Sequence, residues 1–597
     1  MFKDNELKPA PRIWLANYIK LVLSFCAFGL VGATLYFEAH NLFAMPLFDD
    51  MFDRLRMYRS LGDTITFIKY LFAPHNEHRI LTTRLLALLD EDLLGGKEYV
   101  QVTSSHVLQF LSSLLAYHAF SRVACEKLTI GARVLLYSAL VLLFINPNFL
   151  YTLLVPFQVQ HAIMEMLCVL AALMVSGASE KEDGPALTDW RFLVSLLALA
   201  VVASFTLGNG PVILLTAAAC AIVLRWRLTT TLALIALAMI HTALVFGTTE
   251  FVGQKSYAIA KVLNFALVYL GSPFLRFDPW PASYATYATS HGFATAAGAV
   301  VLATGVVFAL ARLFKPGLGG SLAVFGLALI VIVIASGLAG GLSRAQFGLL
   351  EGGNKKYASF AALGWVGCLA IYISLLRAWF VSWSIAVEAV SVVALLLLLP
   401  LSAIGFEREA RLWQKETERN WEAAIAVLLK VNTPALNDIY QPPTEIADYV
   451  RFVDPLNRGV FAQFRYRWGD DAPQAFARMR ATTCRGSAQD LMPIPSADRP
   501  NVFDANGAPM KMNGWAWIES DHAPAATVIA VDPKNHIVGL AKTTRPSETA
   551  EEWLSQKFDR DVGWFGFARV EETPLRFFAI SRNGRRYCEL GGVGDVR

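Results

Sequence analysis

The sequence is poor in charged residues. Asp, Glu, Lys and Arg make up only 17% of the 597 residues, whereas hydrophobic residues make up 55% and the mean hydropathy is +0.44. Soluble proteins carry about a quarter charged residues, so this composition argues against an ordinary soluble protein and favours one embedded in lipid. The net charge of +4 is small for this length and gives no indication of nucleic-acid binding.

Several cofactor and metal motifs are also missing. No Cys-x-x-Cys pair occurs, which argues against a structural zinc site. The stretch Gly253-Gln254-Lys255-Ser256 lacks the adjacent Gly-Lys of a phosphate-binding loop, and no other nucleotide-binding motif occurs. This absence argues against an ATP-driven pump. We therefore expect neither a cofactor nor a metal ion.

The seven cysteines differ in their surroundings. Five lie in or beside apolar segments, where a thiol behaves as a small hydrophobic group. Cys484 and Cys588 lie in the polar C-terminal part. In an oxidising compartment these two are the natural disulfide pair, and two free thiols are the alternative.

Long apolar segments dominate the first 400 residues. A helix needs about 20 apolar residues to cross the hydrocarbon core of a bilayer, and we predict about eleven such spans. The first span follows Lys3, Lys8 and Arg12 without a small-residue cleavage site, which favours a retained anchor over a signal peptide. The predicted spans are 15–36, 101–123, 134–149, 157–176, 192–207, 211–226, 228–247, 292–313, 318–339, 359–377 and 379–403.

The basic residues of the short loops indicate the orientation. With eleven spans they all fall on one side of the membrane, which the positive-inside rule assigns to the cytoplasm. The N-terminus is then cytoplasmic, and the loops 37–100, 248–291 and 340–358 face outward with the C-terminal domain. The segment 258–272 is expected to lie on the surface or to re-enter the bilayer, because counting it as a span would reverse everything that follows.

The C-terminal third has the composition of a soluble protein. We predict a membrane domain at 1–404, a helical and irregular connector at 405–500, and a β-sandwich at 501–597. Six short segments with turn signals between them, 513–519, 527–531, 537–542, 564–570, 576–581 and 586–590, favour a jelly-roll-like sandwich. Its residues Trp515, Trp517 and Trp564 either stack on sugar rings or form the core, and the alternation favours the core.

Polar side chains gather in the loops that are predicted to face outward. Asp49-Asp50 follows the first span, and His75-Asn76-Glu77-His78-Arg79 comes later in the same loop. A late loop carries Arg344 and Lys355-Lys356-Tyr357. Polar groups at the edge of a membrane indicate a functional site. The alternatives are a helix cap for the acidic pair and interfacial anchors for the lysines.

These residue types suit a group transfer. One carboxylate of the acidic pair can accept a proton from an attacking hydroxyl, and burial would raise its pKa into a useful range. Glu77 is a rival base, and His78 is a candidate to share the proton. Arg79 and Arg84 are candidate anion binders, and the basic residues of 344–356 suit a lipid phosphate. Acid on one wall and cations on the other favour a phosphate leaving group.

Residues 10–400 resemble the GT-C superfamily of membrane glycosyltransferases, which take sugars from polyprenyl-phosphate carriers. The resemblance rests on the first span, the pair Asp49-Asp50, the amphipathic loop helices, and the late loop with Arg344 and Lys355-Lys356-Tyr357. The stretch Asn76-Glu77-His78-Arg79 resembles a pattern in bacterial members. Protein mannosyltransferases and aminoarabinose transferases have Asp-Glu in place of Asp49-Asp50, which leaves the base open between these two.

The resemblance implies a hexosyl- or pentosyltransferase of the bacterial inner membrane that works by inverting displacement. Its base would be Asp49 or Asp50, its donor a polyprenyl-phosphate-linked sugar, and its acceptor a glycan, lipid or protein of the cell envelope. The alternatives are a transporter or flippase of lipid-linked sugars, an envelope glycan polymerase or ligase, and a non-catalytic scaffold. The expected binding residues are Glu77, His78, Arg79, Arg344, Lys355, Lys356 and Tyr357.

Overall fold

The computed structural model describes residues 10–42, 49–75, 78–124, 127–181, 183–247, 258–274, 284–348, 351–377, 382–440, 443–496, 500–503, 507–545, 547–554 and 561–591. Two of the predicted site residues are affected by these limits. Glu77 lies outside the described residues, and so does the side chain of Asp49.

Helices make up most of the chain up to residue 476. Their lengths range from short turns of four or five residues to one helix of 47 residues. The described helices are α1 Ala10–Asn41, α2 Asp49–Ser60, α3 Thr64–Phe72, α4 Leu81–Leu94, α5 Tyr99–Ala124, α6 Ile130–Phe144, α7 Leu150–Leu154, α8 Val159–Ala178, α9 Trp190–Ser204, α10 Pro211–Val223, α11 Leu228–Phe246, α12 Ile259–Gly271, α13 Tyr284–Phe314, α14 Gly320–Arg344, α15 Ala358–Leu376, α16 Trp383–Leu429, α17 Thr444–Leu456, α18 Val460–Gln463, α19 Ala472–Phe476 and α20 Glu548–Leu554.

Eight described helical segments are long and apolar enough to cross a membrane, which is typical of a membrane-embedded protein. Three shorter apolar helices, α9, α10 and α12, accompany them. The structure therefore confirms eight helices of spanning length, and the predicted number of eleven spans is not confirmed. The eight segments are Asn17–Asn41, Ile130–Leu154, Pro156–Ala178, Leu228–Phe246, His291–Phe314, Gly320–Phe347, Lys355–Leu376 and Trp383–Leu429.

Helix α5 covers the predicted span 101–123 but is not one of the eight. Its exposed face carries apolar side chains such as Val107, Phe110 and Leu111, whereas its buried face carries amides and hydroxyls. These polar residues lower its average hydropathy, so composition alone does not mark it as a span. The buried polar residues are Gln101, Ser105, Gln109, Ser112 and Ser113.

The first predicted loop contains two helices and a short hairpin. The sequence predicts two amphipathic helices in this loop, one capped by Asp63 and one beginning at Asn76. The Asp63 cap of α3 is confirmed, because its Oδ2 accepts a hydrogen bond from the backbone N–H of Thr66 at 2.8 Å. The predicted helix start at Asn76 is wrong, since the second helix begins at Leu81. The strands β1 Pro74–His75 and β2 His78–Arg79 form an antiparallel pair ahead of it.

The sequence also predicts an amphipathic helix, Phe406–Lys430, at the start of the connector. In the structure one continuous helix, α16 Trp383–Leu429, includes most of this segment and most of the last predicted span, 379–403. This helix of 47 residues contains Pro400. An internal proline removes one backbone hydrogen bond and commonly kinks or ends a helix. Here the helix continues beyond it, so the predicted break between the two segments is wrong.

The chain divides into two compact units. The helical unit comprises Met1–Leu42, Leu71–Leu86 and Val100–Arg411, and the β-rich unit comprises Phe43–Tyr70, Ala87–Tyr99 and Leu412–Arg597. The acidic pair of α2 thus belongs to the β-rich unit, whereas the hairpin and the late loop belong to the helical unit. The predicted domain boundaries at 404 and 500 stay predictions. Each compact unit is assembled from several separate chain segments, so the division into units does not test a boundary at a single position.

Small residues allow close helix packing in the helical unit. Helices α14 and α15 approach so closely that a Cβ on Gly326 would lie 2.5 Å from the carbonyl oxygen of Gly367. The short helix α12 packs against α13 at Gly271 and Gly298. Small residues at such crossings let helix backbones meet without a hydrophobic driving force between them.

The β-rich unit contains one ladder of nine described strands in the order β3-β11-β10-β7-β8-β9-β5-β4, with β6 paired to β5. Every pairing in this ladder is antiparallel except that of β3 with β11. The strands are β3 Arg480–Ala481, β4 Cys484–Pro493, β5 Ala508–Ile518, β6 Ala523–Pro524, β7 Thr527–Val531, β8 Ile537–Arg545, β9 Gly563–Val570, β10 Arg576–Ile580 and β11 Arg586–Glu589.

The two ends of this ladder meet. A disulfide joins Cys484 of β4 to Cys588 of β11, with their Cα atoms 5.9 Å apart. Ser487 of β4 also forms a parallel bridge with Gly591, just after β11. The sheet is therefore curled upon itself, and the predicted cysteine pairing is confirmed.

The predicted strands 513–519, 527–531, 537–542, 564–570, 576–581 and 586–590 correspond to β5 and β7–β11. Strand β4 was missed, since Gly486 and Asp490 in this edge strand resemble a loop and a bulge follows Ala488. The β-rich C-terminal domain is confirmed. A jelly-roll sandwich is not confirmed, because the described strands form one continuous ladder.

The aromatic side chains of this sheet are core residues. Trp515 and Trp564 are at most 1% exposed, and Trp517 packs beside Trp515 against Ala550 and Val562. A buried indole has no face available for a sugar. The core interpretation is thus confirmed for Trp515 and Trp564, and the sugar-stacking alternative is wrong for them.

Candidate functional site

Two basic residues of the helical unit share one acidic partner. Arg344 ends α14, and Lys356 lies in a short 3₁₀ turn, Lys355–Tyr357, ahead of α15. Glu351 Oε1 lies 3.9 Å from Arg344 Nη1 and 3.5 Å from Lys356 Nζ. The Glu351 carboxylate thus lies beside both cations, near the end of α14 and the start of α15.

The hairpin brings a histidine into the same neighbourhood. His75 and His78 are paired across β1 and β2, and their rings lie 6.3 Å apart. Burial, together with the nearby His75, Arg344, His161 and Lys356, lowers the pKa of His78 to about 3. His78 is therefore a neutral imidazole at physiological pH, with one nitrogen to donate and one to accept a hydrogen bond. We call His78, His161, Arg344 and Lys356 the cationic cluster.

Aromatic rings line one side of the cationic cluster. The ring centroid of Tyr357 lies 6.5 Å from that of His161 and 5.4 Å from that of Tyr269. Lys356 Nζ lies over the Tyr357 ring, and Lys355 Nζ lies 5.4 Å from the ring centroid of Tyr151. Lys355 is thus directed toward a different ring from Lys356, although the two are neighbours in sequence.

Arg79 and Arg84 lie near the hairpin, and the sequence predicts both as anion binders. Arg84 is fully buried, and its Nη1 donates to the carbonyl oxygens of Leu71 at 3.2 Å and Ala73 at 2.6 Å. It therefore holds the chain ahead of the hairpin, and the predicted role as an anion binder is wrong. Arg79 Nε donates to the carbonyl oxygen of Phe72 at 3.2 Å, and its predicted role stays a prediction.

In the β-rich unit, Arg54 lies among buried carboxyl groups. The side chains of Asp50 and Arg54 are one helical turn apart on α2, with Nε 3.7 Å from Oδ1. Arg54 Nη1 lies 2.9 Å from Glu91 Oε1, and Nη2 lies 3.9 Å from Glu98 Oε1. We call Asp50, Arg54, Glu91 and Glu98 the carboxylate cluster.

Burial gives these carboxyl groups a high proton affinity. It raises the pKa of Asp50, and the Arg54 charge only partly offsets this effect. Burial and the neighbouring Asp50 raise the pKa of Glu98 well above its usual value. Each of the two carboxyl groups affects the pKa of the other, so a proton on one of them relieves the repulsion between them.

Local backbone geometry positions Glu98. Its φ of 65° lies in the left-handed region, and its N–H donates to Asp90 Oδ2 at 2.5 Å. Asp53, on the same helix as Asp50, accepts a hydrogen bond from the Tyr70 hydroxyl at 2.9 Å. The predicted base Asp50 is thus part of a larger buried network, which the sequence alone did not indicate.

No protein-family model matches this chain, and no curated protein or solved structure matches it either. Within the described residues, no group of three or more His, Cys, Asp or Glu side chains is arranged to hold a metal ion. The resemblance to the GT-C superfamily therefore rests on the residues quoted for it.

Of the predicted binding residues, the structure brings together His78, Arg344, Lys356 and Tyr357. It adds His161 and Glu351, which sequence reasoning did not place in the site. Asp50 lies in the other unit, so the predicted pocket between the acidic and basic groups stays a prediction. A sequence signal for His161 was available, because it lies one helical turn from Glu165 in an otherwise apolar segment.

Proposed function

We propose that this chain is a polytopic membrane glycosyltransferase of the GT-C type with about eleven spans. It moves one sugar from a polyprenyl-phosphate carrier to an acceptor of the cell envelope. The observation that carries the proposal is the cationic cluster, in which Arg344 and Lys356 lie together beside Glu351 at the ends of apolar helices. Cations at this position suit the phosphate of a lipid carrier.

In this proposal the cationic cluster binds the donor phosphate. The guanidinium of Arg344 and the ammonium of Lys356 form charge-assisted hydrogen bonds to its oxygens, and neutral His78 donates one more. Tyr357 lies against the cluster and shields it from one side. Lys355 and Arg79 are assigned to the rim, where they attract the anionic headgroup.

The reaction is an inverting displacement at the anomeric carbon. The acceptor oxygen forms a bond to this carbon while the bond to the phosphate oxygen breaks. The hydroxyl proton passes to a carboxylate of the first loop, Asp50 or Asp49, and the lipid phosphate leaves with the bonding electron pair. A raised pKa makes Asp50 a stronger base once it is deprotonated, which supports its assignment.

We place the β-rich unit outside the bacterial inner membrane, with the N-terminus in the cytoplasm. The disulfide between Cys484 and Cys588 supports this orientation, because disulfides persist in oxidising compartments. The basic residues of the short loops support it through the positive-inside rule.

Separate Asp49→Asn and Asp50→Asn variants test the base, with transfer from synthetic polyprenyl-phosphate sugars followed in membranes. We expect one variant to lose transfer by roughly 100-fold or more, the range of general-base catalysis. Asp63→Asn is the matched control, since Asp63 is an exposed helix cap. Full activity of both test variants would exclude the first-loop base.

Binding of undecaprenyl phosphate to the full chain in nanodiscs tests the cationic cluster. We expect Arg344→Gln with Lys356→Gln to weaken binding at least tenfold, whereas Arg451→Gln, an exposed cation, has no effect. Undecaprenol, which lacks the phosphate, is the control ligand and should not distinguish the variants. Equal binding by all proteins would contradict the assignment.

A transporter or flippase of lipid-linked sugars is the second candidate. Ionisable residues inside the helical unit favour it, since Glu38 accepts from His106 and Glu165 from Gln109. A fluorescent lipid-linked sugar in vesicles distinguishes the two functions, because a flippase moves it between leaflets without an acceptor. An envelope polymerase or ligase would instead extend or transfer whole glycans.

A further inference from the structure

Helix α5 has its polar face on the inside. The positions Gln101, Ser105, Gln109 and Ser112 are spaced by four, four and three residues, which places them along one stripe of a helix. All four are fully buried, while the opposite face exposes Val107 and other apolar side chains. A helix in a soluble protein has the reverse arrangement.

Several polar atoms of this stripe lack a hydrogen-bond partner among the described residues. They are both side-chain amide atoms of Gln101, Oε1 of Gln109 and Oγ of Ser112. A buried polar atom without a partner loses its hydrogen bonds to water and gains none in return, so several in one stripe would destabilise the fold. Such groups in native proteins are usually satisfied by ordered water.

Two neighbouring helices add polar groups to the stripe. Gln109 Nε2 donates to Glu165 Oε2 of α8 at 2.6 Å. His106 Nε2 lies 2.5 Å from Glu38 Oε2 of α1. One turn before Glu165, His161 Nδ1 is buried and has no hydrogen-bond partner among the described residues. Three helices thus present polar side chains to one another inside an apolar unit.

We propose that α1, α5 and α8 enclose a water-filled half-channel that admits water and protons to Glu165. It runs from Gln101 to Ser112, which is about 16 Å along a helix. Beyond Ser113 the buried face of α5 becomes apolar at Ala116, Ala119 and Phe120, where the half-channel ends.

A blind channel of this kind has a specific consequence. Because it covers only about half of the roughly 30 Å hydrocarbon core, it hydrates Glu165 without connecting the two sides of the membrane. The carboxyl group can then exchange protons with water at one end only. His161 also belongs to the cationic cluster, so the water reaches the groups that are proposed to hold the donor phosphate.

This inference is independent of glycosyl transfer, since it rests on contacts within the helical unit alone. The test is cysteine labelling of the full chain in membrane vesicles of both orientations. Cys26, Cys125, Cys168, Cys220 and Cys368 are first replaced by Ala, and the disulfide pair is kept. Ser105→Cys and Ser112→Cys then introduce single thiols with almost no change in size.

A membrane-impermeant cationic thiosulfonate is the probe, because it reacts with a thiolate in water. We expect both test thiols to react at least tenfold faster than Ser138→Cys and Ser374→Cys. These control serines are also buried, and their hydroxyls donate to carbonyl oxygens of their own helices, as that of Ser105 does to Gln101. They differ from the test serines in lying on α6 and α15, outside the polar stripe of α5. Reaction of all four thiols in denaturant verifies that they are present.

A second substitution tests the path itself. Gln109→Leu places an apolar side chain between the two test positions, so it should slow labelling of Ser112→Cys by about the same tenfold factor. Labelling of Ser105→Cys, nearer to Gln101, should be unchanged. If the test thiols react no faster than the controls, or if Gln109→Leu leaves Ser112→Cys equally reactive, the half-channel is wrong.

Discussion

Arg54 donates from Nη1 to Glu91 Oε1 across 2.9 Å, and both side chains are at most 5% exposed. The same guanidinium lies within 4 Å of Asp50 and Glu98. Arg54 therefore faces three buried carboxyl groups, and Arg458 Nη1 is a second cation 3.4 Å from Glu91 Oε2. When one partner of a buried ion pair is removed, the charge left behind is strongly destabilising.

Arg54→Leu should lower the free energy of unfolding by about 3–5 kcal/mol at pH 7.5, the range for breaking a buried pair. The loss should be smaller at pH 5, because the raised pKa values of Asp50 and Glu98 favour their neutral forms as the pH falls. Thermal unfolding of the full chain in detergent measures both values. Arg59→Leu on the same helix is the control, because Arg59 is 45% exposed in its pairs and should cost less than about 1 kcal/mol.

The effect of Glu98→Gln on the free energy of unfolding should be more favourable at pH 8 than at pH 5. The pKa of Glu98 is raised in the folded state, so the folded protein holds a proton that the unfolded chain releases above its ordinary pKa of 4.5. Stability is therefore lost as the pH rises through the folded-state pKa, and Gln removes this loss. Thermal unfolding of both proteins across this pH window measures the difference. If the substitution changed the free energy of unfolding equally at all pH values, the raised pKa of Glu98 would be contradicted.

The sequence identified Asp50 but not the residues around it. Its partner Arg54 lies four positions along the same helix, which is a local signal that periodicity can reveal. Glu91 and Glu98 lie about forty residues away and reach Asp50 only through the fold. No local pattern indicates such a contact, because it depends on the packing of α2 against the end of α4.

In the fold, too, local sequence signals were predictable and long-range contacts were not. Strands β7–β11 were predictable because they are short segments with turn residues between them, such as 532–535 and 582–585. The curling of the sheet was not, since it depends on the pairing of β4 with β5 and on the disulfide to β11. Likewise, α5 was expected to be an ordinary apolar span, and only burial showed that its Gln and Ser residues face inward.

His78→Gln should remove a loss of stability that the wild-type protein shows in acid. The pKa of His78 is lowered in the folded state, so the unfolded chain binds a proton first as the pH falls below 6.5. The contribution of His78 to the free energy of unfolding then decreases with falling pH, by at most about 1.4 kcal/mol per pH unit. Thermal unfolding at pH 7.5 and 5 measures this slope, with exposed His118→Gln as the control. A slope unchanged by His78→Gln would show that another group is responsible.

Removing the disulfide should destabilise the β-rich unit. Cys484 and Cys588 are 104 residues apart in sequence, and closing a long loop restricts the unfolded chain. Cys484→Ser, Cys588→Ser and the double variant should each cost about 2–5 kcal/mol, with little difference among them. Thermal unfolding of the full chain measures the cost, and a mass shift after thiol alkylation verifies the bond. A double variant as stable as the wild type would show that the other strand pairings suffice to hold the curled sheet.

The crossing of α12 and α13 should depend on two glycines. A Cβ on Gly271 would lie 1.9 Å from the carbonyl oxygen of Ala294, and a Cβ on Gly298 would lie 1.9 Å from that of Leu267. Gly271→Ala and Gly298→Ala should each cost about 1–3 kcal/mol or more, because a backbone atom at that distance forces the helices apart. Gly292→Ala on α13 is the matched control, since no atom lies within 4 Å of its added Cβ. Thermal unfolding in detergent distinguishes the three, and equal stability of all three would mean that the two helices separate at little cost.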